Sequence, residues 1–146
     1  MPKVSVVIPV YNGARTIGRA LESVFGQTFR DFEIIVVNDG STDDTASVLA
    51  GYGDRIQVVS QSNRGVSAAR NAGLRVSVGE YLVFLDDDDE WMPDMRGVPL
   101  GQDVRPADAE SPTMKELLAR PWNVVPSQFV VRRDVFERCG GSTNDS

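Results

Sequence analysis

The chain has 146 residues, 41% hydrophobic and 25% charged, an ordinary composition for one soluble globular domain. At this length folding can bury roughly 70% of the unfolded chain's surface, so a real core is available. A net charge of -6 argues against nucleic acid as the main partner. The lone cysteine, Cys139, excludes an internal disulfide and fits a reducing, cytoplasmic compartment. No histidine is present to activate it, so Cys139 reads as a small hydrophobe rather than a nucleophile. Val4 to Val10 is too short to cross a bilayer, and no signal-peptide pattern precedes it. The mature chain is therefore expected to begin at or near Met1.

Lys3 to Val10 is strongly β-branched and nearly continuous in apolar character, as a central parallel strand covered on both faces requires. Pro9 has to stand near the strand's end, where a missing N–H matters least. Tyr11-Asn12-Gly13 turns the chain, and Ile17, Leu21, Val24 and Phe25 then recur at helical spacing over residues 14–25. Phe32 to Val37 repeats the strand pattern and runs into Asn38-Asp39-Gly40-Ser41-Thr42-Asp43. Ser41 or Thr42 can cap a second helix reaching Tyr52, with Asp43 and Asp44 favourable in its first turn. Asp39 stands at a strand's carboxyl end, where open α/β sheets bind ligands, although an ordinary Asp-Gly turn explains the same residues.

Ile56 to Val59 predicts a short third strand, and Val66 to Val76 a third helix rich in small residues. Arg70 stands out on that alanine-rich helix, because a half-buried charge needs a partner: a structural carboxylate, a phosphate or a nearby acidic cluster. Tyr81 to Leu85 then forms a fourth strand that meets five consecutive acids, Asp86 to Glu90. Crowded carboxylates imply raised pKa values, a bound cation or plain solvation. A cation here would see oxygen alone, which suits Mg²⁺, Mn²⁺ or Ca²⁺. The order β-α-β-α-β-α-β predicts a parallel, doubly wound sheet. Neither G-x-G-x-x-G after the first strand nor a P-loop signature is present, which removes the common dinucleotide and P-loop readings.

The texture changes after Trp91. Met92 to Ala109 reads as loop, and a short helix is expected from Ser111 or Thr113 to about Arg120. Ser127 to Arg132 reads as a strand, Asp134 to Arg138 as one helical turn, and Gly140 to Ser146 as a polar tail.

Four stretches together resemble the inverting nucleotide-sugar glycosyltransferases of family 2, which have the GT-A fold. They are Val4 to Asn12, Val36 to Asp43, Asn63 to Gly73, and Gly79 to Asp89, in the family's order and spacing. The resemblance implies a Rossmann-like, three-layer α/β/α domain with a mainly parallel central sheet. Residues 1–91 would be its nucleotide-sugar-binding half, and residues 92–146 a shortened, loop-rich acceptor side of the same domain. Pro9, Val10 and Tyr11 would lie against base and ribose, and Asp39 would accept a hydrogen bond from the base. Arg70 would face the diphosphate or brace the acids. Asp86-Asp87-Asp88 occupies the place of the D-x-D motif, with Asp86 facing ribose and metal and Asp88 binding Mn²⁺ or Mg²⁺ directly.

The implied reaction transfers a sugar from a nucleoside-diphosphate sugar, a UDP-sugar favoured, to a glycan or lipid-linked acceptor hydroxyl with inversion. Such work belongs to polysaccharide biosynthesis, and a lipid-linked acceptor would bring peripheral membrane association. A cation on the diphosphate would offset the charge of the leaving group, and a base would take the acceptor's proton. No residue carries over as that base: Asp134, Glu137 and Asp145 lie in the right part of the chain but outside the family's acidic pair. A catalytically incomplete nucleotide-sugar-binding module is the alternative. A phosphate-receiving signalling domain would want its acids split between the first and a middle strand, and a late lysine; here the acids follow the fourth strand. The residues set no oligomeric state.

Overall fold

The computed structural model describes residues 2–27, 29–91 and 129–134. In chain order they form β1 (Val4–Val10), α1 (Ile17–Phe25), β2 (Phe32–Asp39), α2 (Thr45–Ala50), β3 (Gln57–Gln61), α3 (Val66–Val76), β4 (Tyr81–Phe84) and β5 (Phe129–Arg132). The sheet order is β3-β2-β1-β4-β5. The first four strands are parallel; β5 runs antiparallel to β4, with Phe129 opposite Phe84 and Arg132 opposite Tyr81. This is the mainly parallel α/β architecture expected.

All seven residues of β1 are buried because its two faces serve two cores. Val4, Val6, Ile8 and Val10 pack with α1, α2 and Trp91 on one face. Val7 joins Ile35, Val37, Leu82, Phe84 and Ala69 of α3 on the other. That alternation along one strand makes the three layers. The β1–β4 ladder ends at Val7 and Phe84, and Leu85 donates to the Val7 carbonyl. Pro9 lies two residues further on, past the last β4 pair, so its missing N–H costs the sheet nothing on that side.

Gly73 lets α3 lie close on the sheet. A Cβ there would stand 2.4 Å from Val7 Cγ1 and 3.2 Å from Val37 Cγ2. Gly73→Ala gains about 1 kcal/mol of helix propensity but overpacks a β-branched core at about 1–3 kcal/mol. We expect a net loss of about 1 kcal/mol, read as a fall of about 3 °C in Tm. A raised Tm would show that the valines yield.

Several boundaries differ from expectation, among them the end of the second helix at Ala50 rather than Tyr52. The first helix starts at Ile17, because residues 13–16 close a turn in which Thr16 and Ile17 donate to the Gly13 carbonyl. β2 runs on to Asp39 and β3 to Gln61, where the two pair. The second helix begins at Thr45, whose N–H donates to the Asp43 carboxylate at 3.0 Å, and Asp44 stands at the cap position with no side-chain cap bond. Ser41 and Thr42, the expected caps, bond instead to Asn12. The loop, helix and tail expected over residues 92–128 and 135–146, with Glu137, Cys139 and Asp145, lie outside the described residues. No helix among the described residues is long and apolar enough to cross a membrane.

The chain winds outward from β1 through β2 to β3, then returns through α3 to β4 on the other side of β1. That reversal opens a crevice at the carboxyl ends of β1 and β4, where sheets of this kind bind ligands.

Candidate functional site

Three loops surround the crevice. From β1, Pro9 and Val10 are buried in the strand, and Tyr11 emerges half-exposed at its carboxyl end. Of these three residues, Tyr11 alone offers appreciable surface to a ligand.

Asp39 ends β2 and is only 4% exposed. Its Oδ1 accepts from Gln61 Nε2 at 2.8 Å and from the Arg64 N–H at 2.9 Å, and its Oδ2 accepts the Gly65 N–H at 3.0 Å. A carboxylate offers about four acceptor positions, so about one is left for a ligand. The next corner is as tight. Gly40 has φ +74°, and a Cβ there would stand 2.6 Å from the Asn63 backbone nitrogen. The Asp-Gly pair is thus the seat on which the loop from Gln61 to Gly65 rests.

The acidic turn follows β4. The Asp89 N–H donates to the Asp86 carbonyl at 3.1 Å, closing a tight turn. This geometry gathers one carboxylate oxygen each from Asp86, Asp88 and Asp89 within 4.8 Å of one another. Asp88 is exposed; Asp86 and Asp89 are half-buried. Arg70, reaching from α3, bonds Asp86 Oδ1 through Nη2 at 3.3 Å and lies over the Phe84 ring. Burial pushes the Asp86 carboxyl above its ordinary range, Arg70 pulls it down, and Asp89 and Asp88 push it up again. Three clustered carboxylates and no softer donor fit a hard divalent cation.

Asp87 is directed elsewhere. Its Oδ2 accepts the Thr16 hydroxyl at 3.1 Å, and a Cβ on Gly13 would stand 2.4 Å from that oxygen. Asp87 therefore ties the acidic turn to the start of α1, while Asp89, absent from the sequence expectation, takes a place in the cluster. The i, i+3 spacing of Asp86 and Asp89 in a tight turn was the available signal.

Burial raises the Asp87 carboxyl as well, with the Thr16 bond opposing it. An acid whose pKa is raised on folding holds its proton more tightly in the folded chain. Stability then falls as pH rises from the ordinary aspartate range through the raised value. Asp87→Asn keeps an acceptor for Thr16 and removes that loss, so its Tm at pH 7 should equal or exceed wild type. The gap should close near pH 3, about where ordinary aspartates protonate. Asp87→Ala should fall below Asp87→Asn by about 1 kcal/mol, the worth of the lost hydrogen bond. Equal Tm values for the two variants would contradict the tether.

Asp134 stands apart from all of this. Because β5 is antiparallel to β4, Asp134 follows Arg132 beyond the amino end of β4, bonded to Arg132 Nη2 at 3.1 Å. The length of β4, about 13 Å at ~3.3 Å per residue, separates it from the acidic turn. It is not placed to act as a base at the crevice.

The sequence model described as Glycosyl transferase family 2 matches residues 5–97, well over half of the chain. The chain belongs to that family. An uncharacterized glycosyltransferase of Rickettsia prowazekii is 44% identical over 92 residues, which are 63% of this chain and 29% of that protein. The uncharacterized glycosyltransferase YibD of Escherichia coli is 41% identical over 96 residues, 64% of this chain and 28% of its own length. The family 2 chain thus spans under a third of these relatives. Staphylococcus aureus TarS 1-349 superimposes with a TM-score of 0.67 at 23% identity, over 99% of this chain and 52% of that one. The mannosyltransferase PcManGT of Pyrobaculum calidifontis, solved with GDP-Man and Mn²⁺, gives 0.68 at 25% identity, over 96% and 47%. The fold is therefore the GT-A α/β fold that these glycosyltransferases share.

Proposed function

We propose that this family 2 domain binds a nucleoside-diphosphate sugar, with UDP as the favoured nucleotide, together with Mn²⁺ or Mg²⁺, for transfer of the sugar with inversion. The observation that carries the reading is the Asp86, Asp88 and Asp89 cluster at the β1–β4 crevice, braced by Arg70. PcManGT, of like fold, was solved with a nucleotide sugar and Mn²⁺, which supports the same ligand class here. In this reading Asp88 and Asp86 hold the cation with Asp89, and Asp39 and Tyr11 border the nucleoside. The cation, when bound, supplies positive charge to the diphosphate leaving group. Arg70 holds the Asp86 carboxylate in position.

The acceptor, a glycan or lipid-linked hydroxyl, and the base that takes its proton come in this reading from outside the described residues. A domain with no disulfide suits the cytoplasm, with a lipid-linked acceptor drawing it to the membrane surface. Titrating UDP, GDP and TDP calorimetrically in the presence of Mn²⁺ tests the reading. Binding of UDP ahead of the others is expected; silence from all three would overturn it. The second reading is donor binding without transfer. Transfer to an added acceptor would remove that reading.

A further inference from the structure

We propose that Asn12 is a positioning residue for the donor nucleotide: it clips the β1–α1 loop to the β2–α2 loop and so fixes Tyr11 at the mouth of the crevice. This inference rests on the nucleotide reading given above.

Among the described residues Asn12 is the one non-glycine with positive φ, at +50°. Asparagine is among the few residues that tolerate this left-handed conformation. It turns three successive backbone N–H groups toward one neighbour. The Asn12 N–H donates to Ser41 Oγ at 2.9 Å, that of Gly13 to Thr45 Oγ1 at 3.1 Å, and that of Ala14 to Asp43 Oδ2 at 3.2 Å. The Asn12 side chain completes the clip. Its Oδ1 accepts the Thr42 N–H at 2.7 Å, the Thr42 hydroxyl at 3.3 Å and the Asp43 N–H at 3.3 Å. One amide oxygen thus serves three donors of the neighbouring loop.

The sheet does not need this arrangement. β1 and β2 are already paired through Val10 and Asn38. Asn12 and Thr42 are exposed, where hydrogen bonds add little to global stability. What the clip fixes is the segment between the end of β1 and the start of α1. That segment carries Tyr11 on one side of Asn12 and Gly13, packed against Asp87, on the other. A ligand at the crevice would therefore find Tyr11 already in place, and affinity is gained by such preorganisation.

The test uses the full chain and UDP with Mn²⁺. Asn12→Gly keeps the left-handed backbone and removes the acceptor. Asn12→Asp keeps both. We expect Asn12→Gly to raise the Kd for UDP about tenfold, with Tm within about 3 °C of wild type, and Asn12→Asp to stay within about threefold. Without ligand, the Thr42 and Asp43 amides should exchange hydrogen faster in Asn12→Gly while the β1 amides stay protected. Wild-type affinity in Asn12→Gly, or equal weakening in both variants, overturns the inference while leaving the nucleotide reading standing. No nucleotide binding by the wild type overturns that reading, and this one with it.

Discussion

Asp88→Ala should abolish Mn²⁺-dependent UDP binding while leaving the fold intact. Asp88 is the exposed member of the cluster, so its side chain supports no core contact. Its loss leaves Asp86, already engaged by Arg70, and Asp89 as the remaining oxygens. Removing one of three charged ligands from a hard-cation site should cost about 100-fold in affinity or more, ~3 kcal/mol. The same substitution relieves repulsion among neighbouring carboxylates, so Tm should hold or rise. Calorimetry with and without Mn²⁺ separates the two effects. Undiminished metal-dependent binding would mean that the cation sits elsewhere.

The second large effect is expected at Asp39, and it is both structural and functional. Asp39→Ala strands the Arg64 and Gly65 N–H groups and the Gln61 amide beside a strand end that is 4% exposed. A hydrogen bond to a charged group is worth about 1.5–3 kcal/mol, and water reaching the exposed Arg64 and Gly65 recovers part of the total. We expect about 3 kcal/mol lost in urea unfolding, with a Tm fall of about 9 °C. Asp39→Asn should land between, because its amide oxygen can keep the donors on one side while its NH₂ faces a donor on the other. Both variants should weaken UDP binding, since the loop from Gln61 to Gly65 leads directly into the helix that carries Arg70. A stability unchanged in Asp39→Ala would show that this loop is held by other means.

The sheet was legible in the sequence because β1, most of β2 and most of β4 are buried, whereas β3 at the edge is largely exposed. Val4 to Val10 and Phe32 to Val37 read as nearly continuous apolar runs for that reason, broken by Ser5 and Glu33, and the turns after them carry Asn, Asp and Gly. α3 matched its expected range at both ends, since Gly65 enters it and Ser77 leaves it. The site was legible only in part. Asp86 and Asp88 come together as the motif spacing implied, yet Asp87, expected on the nucleotide side, turns to Thr16, and Asp89 joins the cluster. A run of identical acids gives no clue to which faces inward; the turn closed by the Asp86 carbonyl decides it. The cap of α2 was misplaced for a related reason. Ser41 and Thr42 are good caps by type, but Asn12, some 30 residues earlier, claims both, and no local pattern announces a partner that distant. The antiparallel direction of β5 was equally hidden, and that direction is what carries Asp134 to the far end of the sheet.

The most direct measurement is the anomalous difference map of a crystal of the chain grown with UDP and Mn²⁺. A single Mn²⁺ peak is expected against Asp88, with the diphosphate beside it and the uracil on the Asp39 and Tyr11 side of the crevice. A Mn²⁺ peak away from the acidic turn, or a nucleotide bound anywhere else on the fold, would contradict this placement.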